Sequence, residues 1–157
     1  MERFYDKLLI EEYLNQTKFD FLVKELQKYL FVTKYKKGEF VTTALQQEHL
    51  FQIIVQGSVN IYFIRDDGSI YFLSNAKEND LLGEMELFQH QPGNVYAEAN
   101  TDVICLALSI EASRKVLLEN CQFLQMICES LTQKMESITT FDAVPESLKQ
   151  RVLTYMR

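Results

Sequence analysis

Basic residues, glycine, proline, cysteine and histidine are all scarce in this chain of 157 residues. Sixteen Lys and Arg stand against 22 Asp and Glu, a formal charge of −6. That balance excludes a large nucleic-acid surface, because phosphate contacts need clustered cations. Five Gly and two Pro exclude collagen-like and loop-dominated scaffolds. Cys105, Cys121 and Cys128 make an odd count without a CxxC, so neither a disulfide framework nor a zinc site is expected, and a reducing cytoplasm is the simplest setting. His49 and His90 are the only histidines, and no HxH or HExxH places two on one face. No metal and no other cofactor is therefore expected. No apolar run nears the roughly 20 residues that span a bilayer, and Met1–Ile10 carries charges where a signal peptide would be apolar. The expectation is no membrane partner.

What is present is apolar mass. Hydrophobic residues make up 47% of the chain, with eleven Phe and eight Tyr. A chain of this length and composition can offset its ordering entropy as one domain. Phe19, Leu22, Val23 and Leu26 fall at i, i+3, i+4 and i+7, which predicts a helix, and Phe4–Leu14 carries a weaker helical pattern. From Phe31 to Leu108 short β-rich runs alternate with Lys37-Gly38, Gln56-Gly57, Asp67-Gly68 and Asn79-Asp80. Phe51, Ile53 and Val55, then Val59, Ile61 and Phe63, alternate with Gln52, Gln56, Asn60 and Tyr62, as strands with one core face do. Asp67-Gly68 between Ile64 and Ile70 predicts a hairpin. Many short strands with turn signals predict an antiparallel barrel or roll.

After Ser109 the pattern is helical again. Ser109 with Glu111 and Ala112 reads as a helix start with a capping hydroxyl, and a break is expected near Asn120. Leu117, Cys121, Leu124, Cys128, Leu131, Met135 and Ile138 are spaced 4, 3, 4, 3, 4, 3. That heptad seam predicts pairing between two copies of the chain, although a stripe lying on its own barrel gives a similar pattern. Cys121 and Cys128 on such a seam could meet across a two-fold axis, against the plainer reading of small buried hydrophobes. Pro145 opens a further helix, Glu146–Arg157, and the chain stops inside it.

Three segments, Tyr35–Phe40, Phe51–Val59 and Asn79–Phe88, taken in this order and spacing, resemble the effector domain of the Crp/Fnr superfamily of bacterial transcription regulators. The resemblance spans about Phe31 to Arg157. It implies a fold that is mainly β with flanking helices: an antiparallel double-stranded β-helix, the cyclic-nucleotide-binding-like β-roll, followed by a long dimerisation helix. The expected division is N-terminal helices over 1–30, the β-roll over 31–108, a short and a long helix over 109–141, and over 142–157 the start of a DNA-binding domain whose reading helix lies elsewhere. DNA would be a partner only through that absent part.

The resemblance also implies a phosphate-binding cassette from Gly83 to Ala99, with Leu82, Gly83, Glu84, Gly93, Asn94 and Val95 as candidate ligand contacts and Ile138 and Thr139 reaching in from the long helix. In that family the acid at the place of Glu84 accepts from a ribose hydroxyl, and an Arg pairs with the phosphate. Here Gly93-Asn94-Val95 stands where that Arg would be, and no Lys or Arg occurs from Glu78 to Ser113. A buried phosphodiester needs a fixed cation or several donors, so cyclic AMP is not the expected effector. No enzyme is expected, since a cupin-like barrel would need several convergent histidines. A regulatory module of a kinase or channel is the alternative to the transcription-factor reading.

Overall fold

The computed structural model describes residues 1–17, 19, 26–43, 48–88 and 94–143, without the side chains of 137–143. In chain order the elements are β1 (Glu2–Phe4), α1 (Lys7–Leu14), β2 (Leu30–Tyr35), β3 (Phe40–Thr42), β4 (Leu50–Gln56), β5 (Val59–Ile64), β6 (Ile70–Ala76), β7 (Leu81–Leu82), α2 (Glu84–Phe88), β8 (Val95–Ala99), β9 (Val103–Ser109), α3 (Ile110–Glu119) and α4 (Cys121–Ala143). A short 3-10 turn, Gln27–Tyr29, leads into β2. The strands form a sheet ordered β1-β2-β9-β4-β7 and a second ordered β3-β8-β5-β6, with every pair antiparallel. Sheet faces sheet and helices flank the first, which is the expected β-roll with a long helix at its C-terminal side.

Turn chemistry sets the register as the sequence suggests. Ile64 pairs with Ile70 across the Asp67-Gly68 turn, where the Arg65 amide donates to the Ser69 carbonyl and the Asp67 carboxylate accepts from the Ser69 amide at 2.8 Å. Gly57 and Gly83 have φ of +93° and +94°. A Cβ at Gly83 would overlap the Leu50 carbonyl, and one at Gly57 the Asp102 carbonyl. Both positions therefore exclude a side chain by conformation and by space.

The first sheet separates two cores. On its helix side lie Phe51, Ile53, Leu81, Leu106 and Leu108, packed with Ile10, Leu14, Leu117, Phe123 and Ile127. On its inner side lie Tyr35, Ile54, Leu82, Val103 and Cys105, facing Val41, Val59, Ala76, Ala97 and Ala99 of the second sheet and its neighbouring turns. The expectation of a single core face on β4 is thus corrected. Six of its seven residues are buried, Gln52 among them, because a central strand with helices on one side and a sheet on the other has no wet face. Gln52 is accommodated by hydrogen bonds: Thr33 Oγ1 and the Tyr35 hydroxyl donate to its Oε1 at 3.0 and 2.8 Å, and its Nε2 donates to the Val41 carbonyl.

Further differences from expectation are local. Residues 2–4 form a strand on β2 instead of the start of a helix, so the first thirty residues are not all helical. Ser109 occupies the N-cap position of α3, yet its hydroxyl caps no helix amide and donates to the Glu111 carboxylate. The break at Asn120 is present, with an extended backbone, and its Oδ1 accepts from the Phe123 amide at 2.9 Å to cap α4. It also interrupts the heptad run. Leu117 sits on α3, fully buried in the core, and so cannot face a second copy. The helix expected through Leu22 and Val23 lies outside the described residues except at its buried ends, Phe19 and Leu26, and the Pro145 helix lies outside them altogether.

Candidate functional site

The candidate cassette begins where β7 ends. Leu81 and Leu82 alternate across the strand, Leu81 into the helix-side core and Leu82 into the roll interior. Gly83 then turns the chain against β4, and Glu84 opens the five-residue helix α2, whose Leu87 is anchored in the helix-side core. That anchor fixes Glu84 at the seam between roll and long helix, where it is 3% exposed.

A carboxylate so deeply placed needs partners, and both of its side-chain donors come from α4. Ser130 Oγ donates to Glu84 Oε1 at 2.9 Å, and Lys134 Nζ lies 2.5 Å from the same oxygen. The ammonium also donates to the Leu81 carbonyl at 2.8 Å. One lysine of the long helix thus grips the cassette at two points, fifty residues away in sequence at Glu84.

The other candidate residues are more dispersed. Asn94 is exposed, and its carbonyl accepts from the Ile64 amide at 3.1 Å, which starts β8. Val95 is half-buried and pairs with Phe63. Gly93 and His90 lie outside the described residues. Ile138 and Thr139 fall within α4, but their side chains are outside the described residues; among the described side chains, Ser130 and Lys134 join the helix to the cassette. Further along β8, Glu98 accepts from the Tyr62 hydroxyl at 3.1 Å, and burial together with this bond raises the Tyr62 pKa.

Deeper in the roll, burial pushes the Cys105 thiol up to about 12 and raises the Tyr35 phenol as well. Both groups are neutral and unreactive there. Among the described residues no three His, Cys, Asp or Glu converge as a metal site would require. No described helix is long and apolar enough to cross a membrane.

Ser130 and Lys134 escaped the reading of the sequence, though a signal existed. Phe123, Ile127, Ser130 and Lys134 continue one inward stripe at helical spacing, and a lysine ending an apolar stripe calls for an acid opposite it. The seam residues divide. Leu124 and Leu131 are half-buried against the helix-side core, while Cys121, Cys128 and Met135 are exposed.

The cyclic nucleotide-binding domain is the family whose sequence profile matches, over residues 32–120. A regulatory subunit of cAMP-dependent protein kinase from Candida albicans is 29% identical over 136 residues, which cover 80% of this chain and 28% of that protein. The chain thus spans less than a third of this relative's length. Among solved structures, the c-di-GMP responsive regulator CLP of Xanthomonas campestris superposes with a TM-score of 0.69 at 16% identity, over 93% of this chain and 70% of its own. A CooA mutant from Carboxydothermus hydrogenoformans gives 0.66 at 16% identity, over 88% and 92%. Both structures belong to the Crp/Fnr family, and at these identities the likeness is one of fold.

Proposed function

The chain belongs to the cyclic nucleotide-binding domain family, and from that premise we propose that it is the sensory and dimerisation domain of a Crp/Fnr-like transcription regulator. On this reading it takes a small effector other than cyclic AMP, or works without one. The observation that carries the proposal is the joint between cassette and long helix, where Glu84 is held by Ser130 and Lys134. Whatever occupies the cassette acts on α4, and it can shift α4 only by its differential affinity for two positions of that helix.

The electrostatics argue against a cyclic nucleotide. The stretch from Glu78 to Ser113 has no Lys or Arg, and Lys134, the cation that α4 brings to it, is engaged by Glu84. A phosphodiester seated there would meet acids. Pairing of two copies would use the exposed stripe of Cys121, Cys128 and Met135, one heptad apart, with Leu124 and Leu131 at its inner edge. The role is binding rather than catalysis, in the cytoplasm, and DNA contact belongs to a separate domain.

A second reading, a regulatory module of another signalling protein, is favoured by the likeness to the kinase regulatory subunit. Calorimetric titration with cyclic AMP and cyclic GMP tests the effector: no micromolar binding is expected, and such binding would favour the second reading. Sedimentation tests the pairing. A dimer at tens of micromolar is expected, and Met135→Glu should dissociate it, because burying paired like charges is costly.

A further inference from the structure

We propose that the free edge of β6 is a docking surface for a second copy of this chain. The two β6 strands lie antiparallel about a two-fold axis between Tyr71 and Phe72, so that the sheet ordered β3-β8-β5-β6 runs on into its partner. The inference stands apart from helix pairing, because it uses no residue of α4.

The edge itself is unusual. Among the described residues the free edges of the two sheets are β1, β7, β3 and β6, with three, two, three and seven residues. The longest edge also shows the most apolar surface: Ile70, Tyr71, Phe72 and Leu73 are 69%, 45%, 58% and 38% exposed. Such an edge invites another strand, because its outward N–H and C=O groups are unpaired. The flanking charges say which strand fits. Asp66 stands four residues before Ile70 and Lys77 four residues after Leu73, so the apolar run and this pair of opposite charges share one centre. Both side chains are exposed, and neither forms an ion pair or a hydrogen bond among the described residues. An antiparallel copy centred there lays run on run and sets each Asp66 beside the partner's Lys77, twice over by symmetry. Arg65 and Glu78 meet by the same count. The pattern reads the same from either strand, which a second copy supplies of necessity and an unrelated peptide does not.

The bulge in β6 supports the same centre. Ile61 pairs with Ser74 and Tyr62 with Phe72, which leaves Leu73 as an extra residue. The alternation of faces therefore changes phase between the Ile70 end of β6 and its Ala76 end. A two-fold axis that falls between two residues requires such a change, because in an unbroken strand the residues meeting across it would point to opposite faces. The contact is weak by itself, since four apolar side chains per copy fall short of the roughly 1,200–2,000 Å² that a stable interface buries. Joined to helix pairing, it links dimers side by side.

The test is sedimentation of the Met135→Glu chain, in which helix pairing is removed, at about 20 µM and about 500 µM. Monomer is expected at the lower concentration and a substantial share of dimer at the higher. Phe72→Lys in that chain should weaken the dimer at least tenfold. Should it fail to fold, Ile70→Lys, at a still more exposed position, carries the same comparison. Asp66→Lys and Lys77→Asp should each weaken the dimer at least threefold, and the two together should restore it to within twofold. A Met135→Glu chain that is monomeric at both concentrations overturns the proposal, and so do single and double charge variants of equal affinity. A Met135→Glu chain that stays dimeric at the lower concentration but is dissociated by Phe72→Lys is a different result. It upholds the pairing of β6 and overturns helix pairing instead.

Discussion

The two faces of one sheet are built to different rules. On the helix side, Phe51, Ile53, Leu106 and Leu108 meet Leu14, Leu117, Phe123 and Ile127: large side chains without polar atoms. Inside the roll, Val59, Ala76, Ala97, Ala99, Val103 and Cys105 are small, and Thr33, Tyr35 and Gln52 add buried hydrogen-bonding groups. The first composition maximises apolar burial per residue and makes a stable platform. The second gives up part of that burial for a polar network whose groups must all be satisfied. Stability is concentrated where the helices dock, and chemical variety where a ligand fold keeps its interior.

The largest effect should come from the helix side. Phe123 is fully buried and lies edge-to-face on Phe51, with ring centroids 5.1 Å apart. Phe123→Ala should cost about 3–5 kcal/mol in urea unfolding, because it leaves a cavity in a packed core. A loss below about 1 kcal/mol would break the comparison, for the helix side would then be no better packed than the roll interior. Gln52→Leu attacks the other face. It removes the acceptor shared by Thr33 and Tyr35, and should cost about 1–3 kcal/mol despite the added apolar volume. A stabilised Gln52→Leu would show that the roll interior tolerates a dry core.

The next effect is one of pH. The Cys105 thiol titrates near 9 when exposed and at about 12 in the fold, pushed up by burial. Above pH 9 the unfolded chain loses this proton and the folded chain keeps it, so stability must fall as pH rises from about 9 toward 12. The Tyr35 phenol, raised by the same cause, acts in the same direction at still higher pH. The urea midpoint should therefore drop between about pH 8 and about pH 10.5, and Cys105→Ala should flatten part of the slope. The smallest effect is expected on α4. In the monomer produced by Met135→Glu, Cys121→Ser and Cys128→Ser should change stability by less than about 0.5 kcal/mol, since both side chains are exposed in the single chain. In the monomer both thiols should react with a maleimide, and Cys105 should not.

Much of the roll was legible because its signals are local. Asp67-Gly68 announces its hairpin, Gln56-Gly57 the turn between β4 and β5, and Asn120 the end of a helix. The residues that escaped depend on distant partners. Gln52 reads as a solvent-facing position of an alternating strand, since nothing within β4 reveals a helix layer on one side and a second sheet on the other. Glu2–Phe4 forms a strand only because β2 offers an open edge thirty residues away. The heptad spacing ran straight through Asn120, because periodicity counts residues and does not register a change of helix axis. At the candidate site Glu84 was visible in its motif, whereas Lys134 becomes meaningful only when α4 lies across it.

The joint at Asn120 has a mechanical consequence. Because α4 carries its own cap there, it can swing without unwinding α3, and Phe123 sets the pivot in the core. A helix of 23 residues is about 35 Å long, so a tilt of about 5° at that pivot moves its far end by about 3 Å. The long helix is therefore a lever seated near one end by Phe123 and held along its length at Ser130 and Lys134, so that an adjustment beside Glu84 arrives enlarged at the tip.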